Sequence, residues 1–254
     1  MITTQLGNQG FVWFIGVVED RDDPEKIGRV RVRIHHLHDP STSVVPTENL
    51  PWASVLMPVT SSSLNGVGVS PTGIQKGSTV FGFFLDGMEA NLPVIFGVLP
   101  GKGDIAKLAL GQQSLNKEAY AIEPPSAFNT QYPYNKVQQT ESGHVFEVDD
   151  TPNFERIHQY HRSGTYSEIN QDGRQVQKIV DDNIEVVLKN KKLYVQGNVE
   201  INVKGSYTLN VDGPIVIRGT SVSINDGTQG AARIQDSVAN GKIITGSGTV
   251  FIGE

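Results

Sequence analysis

The C-terminal third of the chain carries a pattern of apolar and polar positions that repeats every eight residues. Gly197, Gly205 and Gly213 are spaced eight apart, and each follows a valine by two positions. The residues between these anchors are mostly polar or β-branched, a near-alternation that does not fit the period of about 3.6 residues of a helix. A fixed short period predicts a β-solenoid in which each repeat is one strand and one corner.

The same repeat indicates that more than one chain contributes to its core. Each repeat offers only a thin apolar stripe, so one chain could hardly close a core, whereas several chains wound together could bury a continuous one. We therefore expect a stiff, oligomeric rod with inward-facing valines and with glycines at tight corners. The positions that define the repeat are Val187, Val195, Gly197, Val203, Gly205, Val211 and Gly213.

Residues 11–99 show a different pattern, in which short strand-like runs are separated by loops rich in Gly, Pro and Ser. The clearest run is 28–38, where Arg29, Arg31 and Arg33 alternate with apolar residues as in a half-buried strand. Five strands in about ninety residues predict a small closed Greek-key barrel of the OB type. The other four runs are 11–19, 52–59, 79–85 and 93–99.

These patterns divide the chain into four predicted segments. An N-terminal barrel domain is followed by a linker, whose second half contains prolines that forbid a helix. The β-helix comes next, and the last residues form either its final turns or a cap. The predicted bounds are 1–100 for the barrel, 101–137 for the linker, 138–227 for the β-helix and 228–254 for its end or cap.

Composition excludes several classes of function. The 254-residue chain has a net charge of −6, which gives no electrostatic footprint for nucleic acid. It has no cysteine, which excludes disulfides, cysteine-ligated zinc and thiol catalysis. No apolar run reaches the roughly eighteen residues of a membrane span, and the N-terminus lacks the features of a secretory signal. We therefore expect synthesis in a cytoplasm and exit, if at all, by lysis or within a larger machine.

Histidines are the best candidates for a metal site. His35, His36 and His38 form one group, in which His36 and His38 are expected to share one face of a strand, and His158 and His161 form a second pair. Neither set has the third nearby ligand that a defined site needs, so structural roles are favoured and no metal is assigned. A trimer that gathers one histidine from each chain on its axis stays open.

Two carboxylates raise the question of catalysis. Glu147 and Asp149 are expected to share a strand face, as the paired carboxylates of a hydrolase do. The segment 73–79 lacks the Gly-Lys-Ser/Thr ending of a P-loop, and the chain has no Gly-x-Ser-x-Gly elbow. We therefore predict no catalytic residue, no cofactor and no enzymatic activity.

Several blocks of the sequence resemble the contractile-tail central spike family, which includes the T4-like phage baseplate spike and the VgrG proteins of type VI secretion. The eight-residue repeat resembles the triple-stranded β-helix of that family. The blocks that carry the resemblance, in chain order, are FVWFIGVVEDRDDPEKIGRVRVRIHHLH (11–38), LPWASVLMPVTS (50–61), GFFLDG (82–87), PVIFG (93–97) and TESGHVFEVDDTPNFERIHQYHRSGTYSEINQDGR (140–174).

The resemblance implies an all-β chain, in which an OB-fold barrel precedes an intertwined triple-stranded β-helix. It implies a homotrimeric, membrane-piercing spike of a phage tail baseplate, located in the virion and seated on a trimeric hub protein. A PAAR-like tip protein and the host outer membrane are further expected partners. Roughly forty residues stand where the T4-like spike carries a lysozyme domain, too few for that fold.

Two alternatives to the phage spike remain open from the sequence. The nearer one is a VgrG-like spike of a secretion system or of a phage-derived bacteriocin. The farther one is a β-solenoid enzyme or adhesin that acts on polysaccharide, which would fold as a single chain.

Overall fold

The structure is a computed structural model that describes residues 11–101 and 123–224, together with the short strands at 229–230, 238–239, 242–243 and 250–252. The described residues contain strands and two short 3-10 turns but no α-helix. Two compact units divide the chain, residues 1–185 and residues 186–254. The boundary between them lies inside the range predicted as β-helix.

The first five strands close into a barrel, which confirms the predicted OB-type domain. The strand order around the barrel is β1-β2-β3-β5-β4, with β3 and β5 parallel and the other neighbours antiparallel. Alternate residues face inward, and Phe14, Val32, Val80 and Ile95 pack in the core. The strands are β1 (Trp13–Asp20), β2 (Val30–Ile34), β3 (Trp52–Val55), β4 (Thr79–Phe84) and β5 (Pro93–Leu99).

The second strand is shorter than its alternation predicts. It ends at Ile34, and the chain then turns, with His36 in the left-handed region at a φ of 64°. The Nδ1 of His38 accepts a hydrogen bond of 3.0 Å from the Ile34 amide, so this side chain closes the turn. The expectation that His36 and His38 share a strand face is therefore wrong, because the strand has already ended.

A second sheet follows in the same compact unit. Its five strands form an antiparallel meander in the order β10-β9-β8-β7-β6. Residues 123–134, named the strap here, precede its first strand. The strands are β6 (Asn135–Gln139), β7 (Val145–Asp149), β8 (Arg156–Tyr160), β9 (Tyr166–Ile169) and β10 (Gln175–Lys178).

Beyond β10 the pattern of pairing changes. No residue of 179–221 belongs to a strand of any sheet in the described part of the chain. Most of the predicted cap, 228–254, and residues 102–122 of the linker lie outside the described residues. The short C-terminal strands are β11 (Val222–Ile224), β12 (Gln229–Gly230), β13 (Val238–Ala239), β14 (Lys242–Ile243) and β15 (Val250–Ile252).

Candidate functional site

Residues 186–221, named the octad segment here, bend at regular intervals. The bends fall at 188–189, 196–197, 204–205 and 212–213, so successive bends are eight residues apart. The next bend, at 219–220, follows after seven residues and ends the regular spacing. The backbone therefore shows the period that the sequence carries.

The octad segment buries none of its side chains within its own chain. Every residue from 186 to 221 is exposed, including Leu188 at 94%. The least exposed apolar side chains are the four anchor valines, which are 44–49% exposed. Apolar side chains in water and backbone groups outside any sheet both cost free energy. An isolated chain would not hold this conformation, so the segment presents a surface made to be covered.

The corner glycines are not required by their own chain. A Cβ built on Gly197, Gly205 or Gly213 meets nothing within 4 Å, and none of the three has a φ in the left-handed region. The prediction that these glycines lie at crowded corners is therefore not tested within one chain. Any crowding would have to come from a neighbouring chain.

One face of the β6–β10 sheet is built from charged residues. Arg156 is fully buried, with one guanidinium nitrogen 2.6 Å from Glu147 Oε1 and the other 3.2 Å from Glu168 Oε2. The Nδ2 of Asn135 donates a 2.7 Å hydrogen bond to Glu147. Since a buried charge is tolerated only when it is paired, each of these groups depends on the others.

The strap covers this charged face. Ser126 Oγ donates to Glu168 at 2.7 Å, the Ala127 amide donates to it at 3.0 Å, and the Phe128 ring lies 4.9 Å from the Arg156 guanidinium. Burial raises the pKa of the Glu168 carboxyl. The hydrogen bonds and the Arg156 charge outweigh that effect and hold the pKa below its ordinary value. The strap is thus fastened to the sheet by an ionised carboxylate.

The two carboxylates considered for catalysis do share a strand face, as expected. Glu147 is paired with Arg156, while Asp149 accepts hydrogen bonds from the hydroxyls of Thr130 and Thr151. Both carboxylates are buried. Because both carboxylates are buried and their partners lie within the chain, their arrangement supports a structural role.

The structure separates His158 from His161. His158 is buried, and its Nδ1 lies 3.6 Å from Glu147 Oε2. His161 lies in the turn after β8, and its ring lies against that of His144 in a tilted arrangement, at a centroid distance of 4.4 Å. Within the described residues, no group of three His, Cys, Asp or Glu side chains is placed to hold a metal ion.

The arginine stripe of the barrel is neutralised within the chain. Arg29 contacts Asp23 at 2.7 Å and Arg33 contacts Glu19 at 2.6 Å. Hydrogen bonding to Arg33 holds the pKa of the Glu19 carboxyl below its ordinary value. Arg31 packs over the Trp52 ring at 4.5 Å. Arg29 and Arg33 are thus paired with acidic neighbours of the same chain.

Sequence reasoning did not identify the opposite face of the second sheet. Phe146 and Ile157 are each 55% exposed and Val148 is 45% exposed, although all three lie in central strands. The sequence does contain a signal for this face, because the charged residues Glu147 and Asp149 alternate with the apolar residues Phe146 and Val148. The sheet is therefore inverted, with charges beneath the strap and apolar side chains uncovered.

The described part of the chain contains no helix that is long and apolar enough to cross a membrane.

Residues 35–183 match the family model described as the Gp5 N-terminal OB domain. Protein Gp5 of Vibrio phage KVP40 is 32% identical over 272 aligned residues, which cover 78% of this chain and 64% of that protein. The pre-baseplate central spike protein Gp5 of Enterobacteria phage T4 is 51% identical over 84 residues, or 31% of this chain and 15% of that protein. The chain thus spans less than two thirds of the length of each relative.

Proposed function

The chain belongs to the Gp5 N-terminal OB domain family, and from that premise we propose that it is a structural central-spike protein of a phage tail baseplate. The similarity to a T4 protein whose name is pre-baseplate central spike protein supports this role. Both relatives are phage proteins, which favours a phage tail over a secretion system.

The octad segment is the observation that supports a trimeric spike. Its bends recur every eight residues, and its apolar side chains are uncovered. A second and a third copy of the chain carry the same period, so their strands can pair with it in register and cover its valines. We propose that three chains intertwine here into a prism with a continuous apolar core.

The proposed mechanism is mechanical. Contraction of the tail sheath would push the prism through the host outer membrane. A closed prism has paired strands and no free sheet edge, which makes it stiff and protects it from unwanted pairing. The barrels would seat the trimer on a trimeric hub protein of the baseplate, and a separate tip protein would cap the far end.

We propose no enzymatic step for this chain. Only 35 residues, 100–134, separate the last barrel strand from β6, and those described from 123 onward form the strap. The carboxylates that suggested hydrolysis are buried and paired. The proposed function of the chain is therefore to assemble into the spike and to transmit force.

Detergent resistance tests the proposed function. The purified full chain is run on a denaturing gel with and without boiling. An intertwined trimer is expected to migrate as one slow band when unboiled and as a monomer after boiling, because its chains separate only on complete unfolding. A monomer band in both lanes would contradict the proposal and favour a single-chain solenoid.

A further inference from the structure

We infer that Arg21 and Glu141 form a latch, which sets the orientation of the barrel relative to the β6–β10 sheet and opens when its charges are screened. The barrel and the sheet lie in one compact unit, residues 1–185. The inference concerns contacts inside a single chain. It goes beyond the proposed function, because it holds whether or not three chains assemble.

The latch joins two elements that are 120 positions apart in the sequence. Arg21 is the first residue after β1, and Glu141 lies in the turn between β6 and β7. The Nη2 of Arg21 donates a 2.9 Å hydrogen bond to Oε2 of Glu141, and Nη1 donates a second one to Oε1. Two parallel hydrogen bonds between a guanidinium and a carboxylate fix an angle as well as a distance. The latch can therefore define an orientation.

The backbone on each side of the latch is held by its own domain. On the sheet side, the Thr140 amide donates to the His144 carbonyl at 2.9 Å, and the Gly143 amide donates to the Thr140 carbonyl at 3.0 Å. On the barrel side, the Asp22 amide donates to the Asp20 carboxylate at 2.9 Å. Because both loops are fixed locally, a change at the latch would turn the barrel against the sheet.

An open polar groove lies beside the latch. Its walls are the barrel segment 71–75 and the sheet segment 138–142. The apolar residues that pack in and around the barrel core all lie between positions 12 and 95, so the described residues give barrel and sheet no shared apolar core. Arg29, Arg33 and Arg156, in contrast to Arg21, form their ion pairs within their own domains. The groove leaves room for the barrel to move once the latch is open.

The exposure of the latch makes it reversible. The side chains of Arg21 and Glu141 are 43% and 52% exposed. Hydrogen bonding to Arg21 holds the pKa of the Glu141 carboxyl below its ordinary value, so the pair is charged at neutral pH. An exposed ion pair shifts an equilibrium by no more than about fivefold. Salt weakens it further, since the screening length falls from about 10 Å at 0.1 M to about 3 Å at 1 M. The latch thus favours one orientation without locking it.

Contact quenching across the groove tests the inference on the full chain. The chain has no native cysteine, so Gln139→Cys carries a single bimane dye on the sheet wall of the groove. Gln75→Trp places a quencher on the barrel wall. Tryptophan quenches bimane only near contact, so the fluorescence reports whether the two walls of the groove are close. Gln75→Leu is the matched control without a quencher.

With the native latch, we expect the dye to be quenched at low salt and its fluorescence to rise towards 1 M salt. Arg21→Glu places two carboxylates against each other and should raise the ratio of open to closed barrel by about two- to fivefold at low salt. Adding Glu141→Arg to that variant should restore the quenching, because opposite charges again face each other across the junction.

Equal quenching in the native, singly reversed and doubly reversed proteins would overturn the inference. A loss of quenching that the double reversal does not restore would also overturn it, since the charges would then not be what sets the orientation. The native mass of the same samples reports separately on the proposed trimer. Failure of the latch and failure of the proposed function are therefore distinguishable.

Discussion

The barrel and the octad segment are both built from short β elements, yet they satisfy their apolar and polar groups in opposite ways. In the barrel, five strands close on themselves, and Phe14 and Val80 are buried by residues of the same chain. In the octad segment, Leu188 and Ile201 stay exposed and no strand pairing is made. The first region closes its own core, whereas the second leaves its apolar side chains uncovered. Under the proposed function, the first region folds alone and the second assembles with further copies of the chain.

The largest effect is expected from a charge placed among the octad valines. Val203→Asp would bring three carboxylates into the interchain core, where they cannot be solvated, so assembly should be lost. The barrel should remain folded, because its core is closed within the chain. Sedimentation and the fluorescence of Trp13 and Trp52 measure the two properties separately.

Thr208→Asp is the matched control for this variant, since position 208 alternates with the apolar positions 207 and 209. It should assemble normally. Equal loss of assembly in both variants would show that the octads do not have the proposed inward face.

A second effect concerns the corner glycines. A side chain at Gly205 meets nothing within 4 Å in its own chain, so any clash must come from a neighbouring chain. We expect Gly205→Val to lower the melting temperature of the assembled protein and to leave the barrel unchanged, as followed by calorimetry. If the mutant assembly were as heat-stable as the wild type, the glycines would not lie at corners crowded by a neighbouring chain.

A third effect belongs to the inverted sheet. Arg156→Ala leaves Glu147 and Glu168 buried without their cation, which should cost about 3–5 kcal/mol of the free energy of unfolding. Arg156→Met, which keeps much of the volume, leaves the same carboxylates unpaired and should be similarly damaging. The triple variant that also carries Glu147→Gln and Glu168→Gln should recover much of the loss in denaturant titrations. Failure of that rescue would mean that the charges are not what holds the face together.

The smallest effect is a dependence on pH. The folded protein holds the pKa of Glu168 below its ordinary value of 4.5, so the unfolded chain takes up this proton more readily. The stability that the carboxylate gives is present above pH 4.5 and is lost as the pH falls through the lower, folded value. Melting temperatures measured from pH 6 to pH 3 should fall less steeply for Glu168→Gln than for the wild type. If the melting temperatures of the two proteins depended equally on pH, the ionised Glu168 carboxylate would not be what holds the strap on the sheet.

Much of this architecture could be predicted from the sequence, because period and alternation are local properties. The valine–glycine spacing predicts the bends at 196–197 and 204–205, and alternation around Arg31 predicts a barrel strand. The extent of that strand could not be predicted, because His38 closes a turn through a side-chain hydrogen bond that alternation does not encode.

The inverted sheet shows a second limit of sequence reasoning. Alternation in Val145–Asp149 separates two faces, but it does not say which face the chain itself will cover. That depends on the strap, whose Ser126 and Ala127 contact Glu168 from 41 or more positions away. The trimer, the hub and the tip stay predictions, since a single chain contains none of these contacts.

The native mass of the purified full chain tests the central claim most directly. Light scattering on a size-exclusion column, repeated over a hundredfold range of concentration, should give three times 27.6 kDa throughout, because intertwined chains do not dissociate on dilution. A folded species of 27.6 kDa at any concentration would contradict the account, since the octad segment would then have to close within one chain.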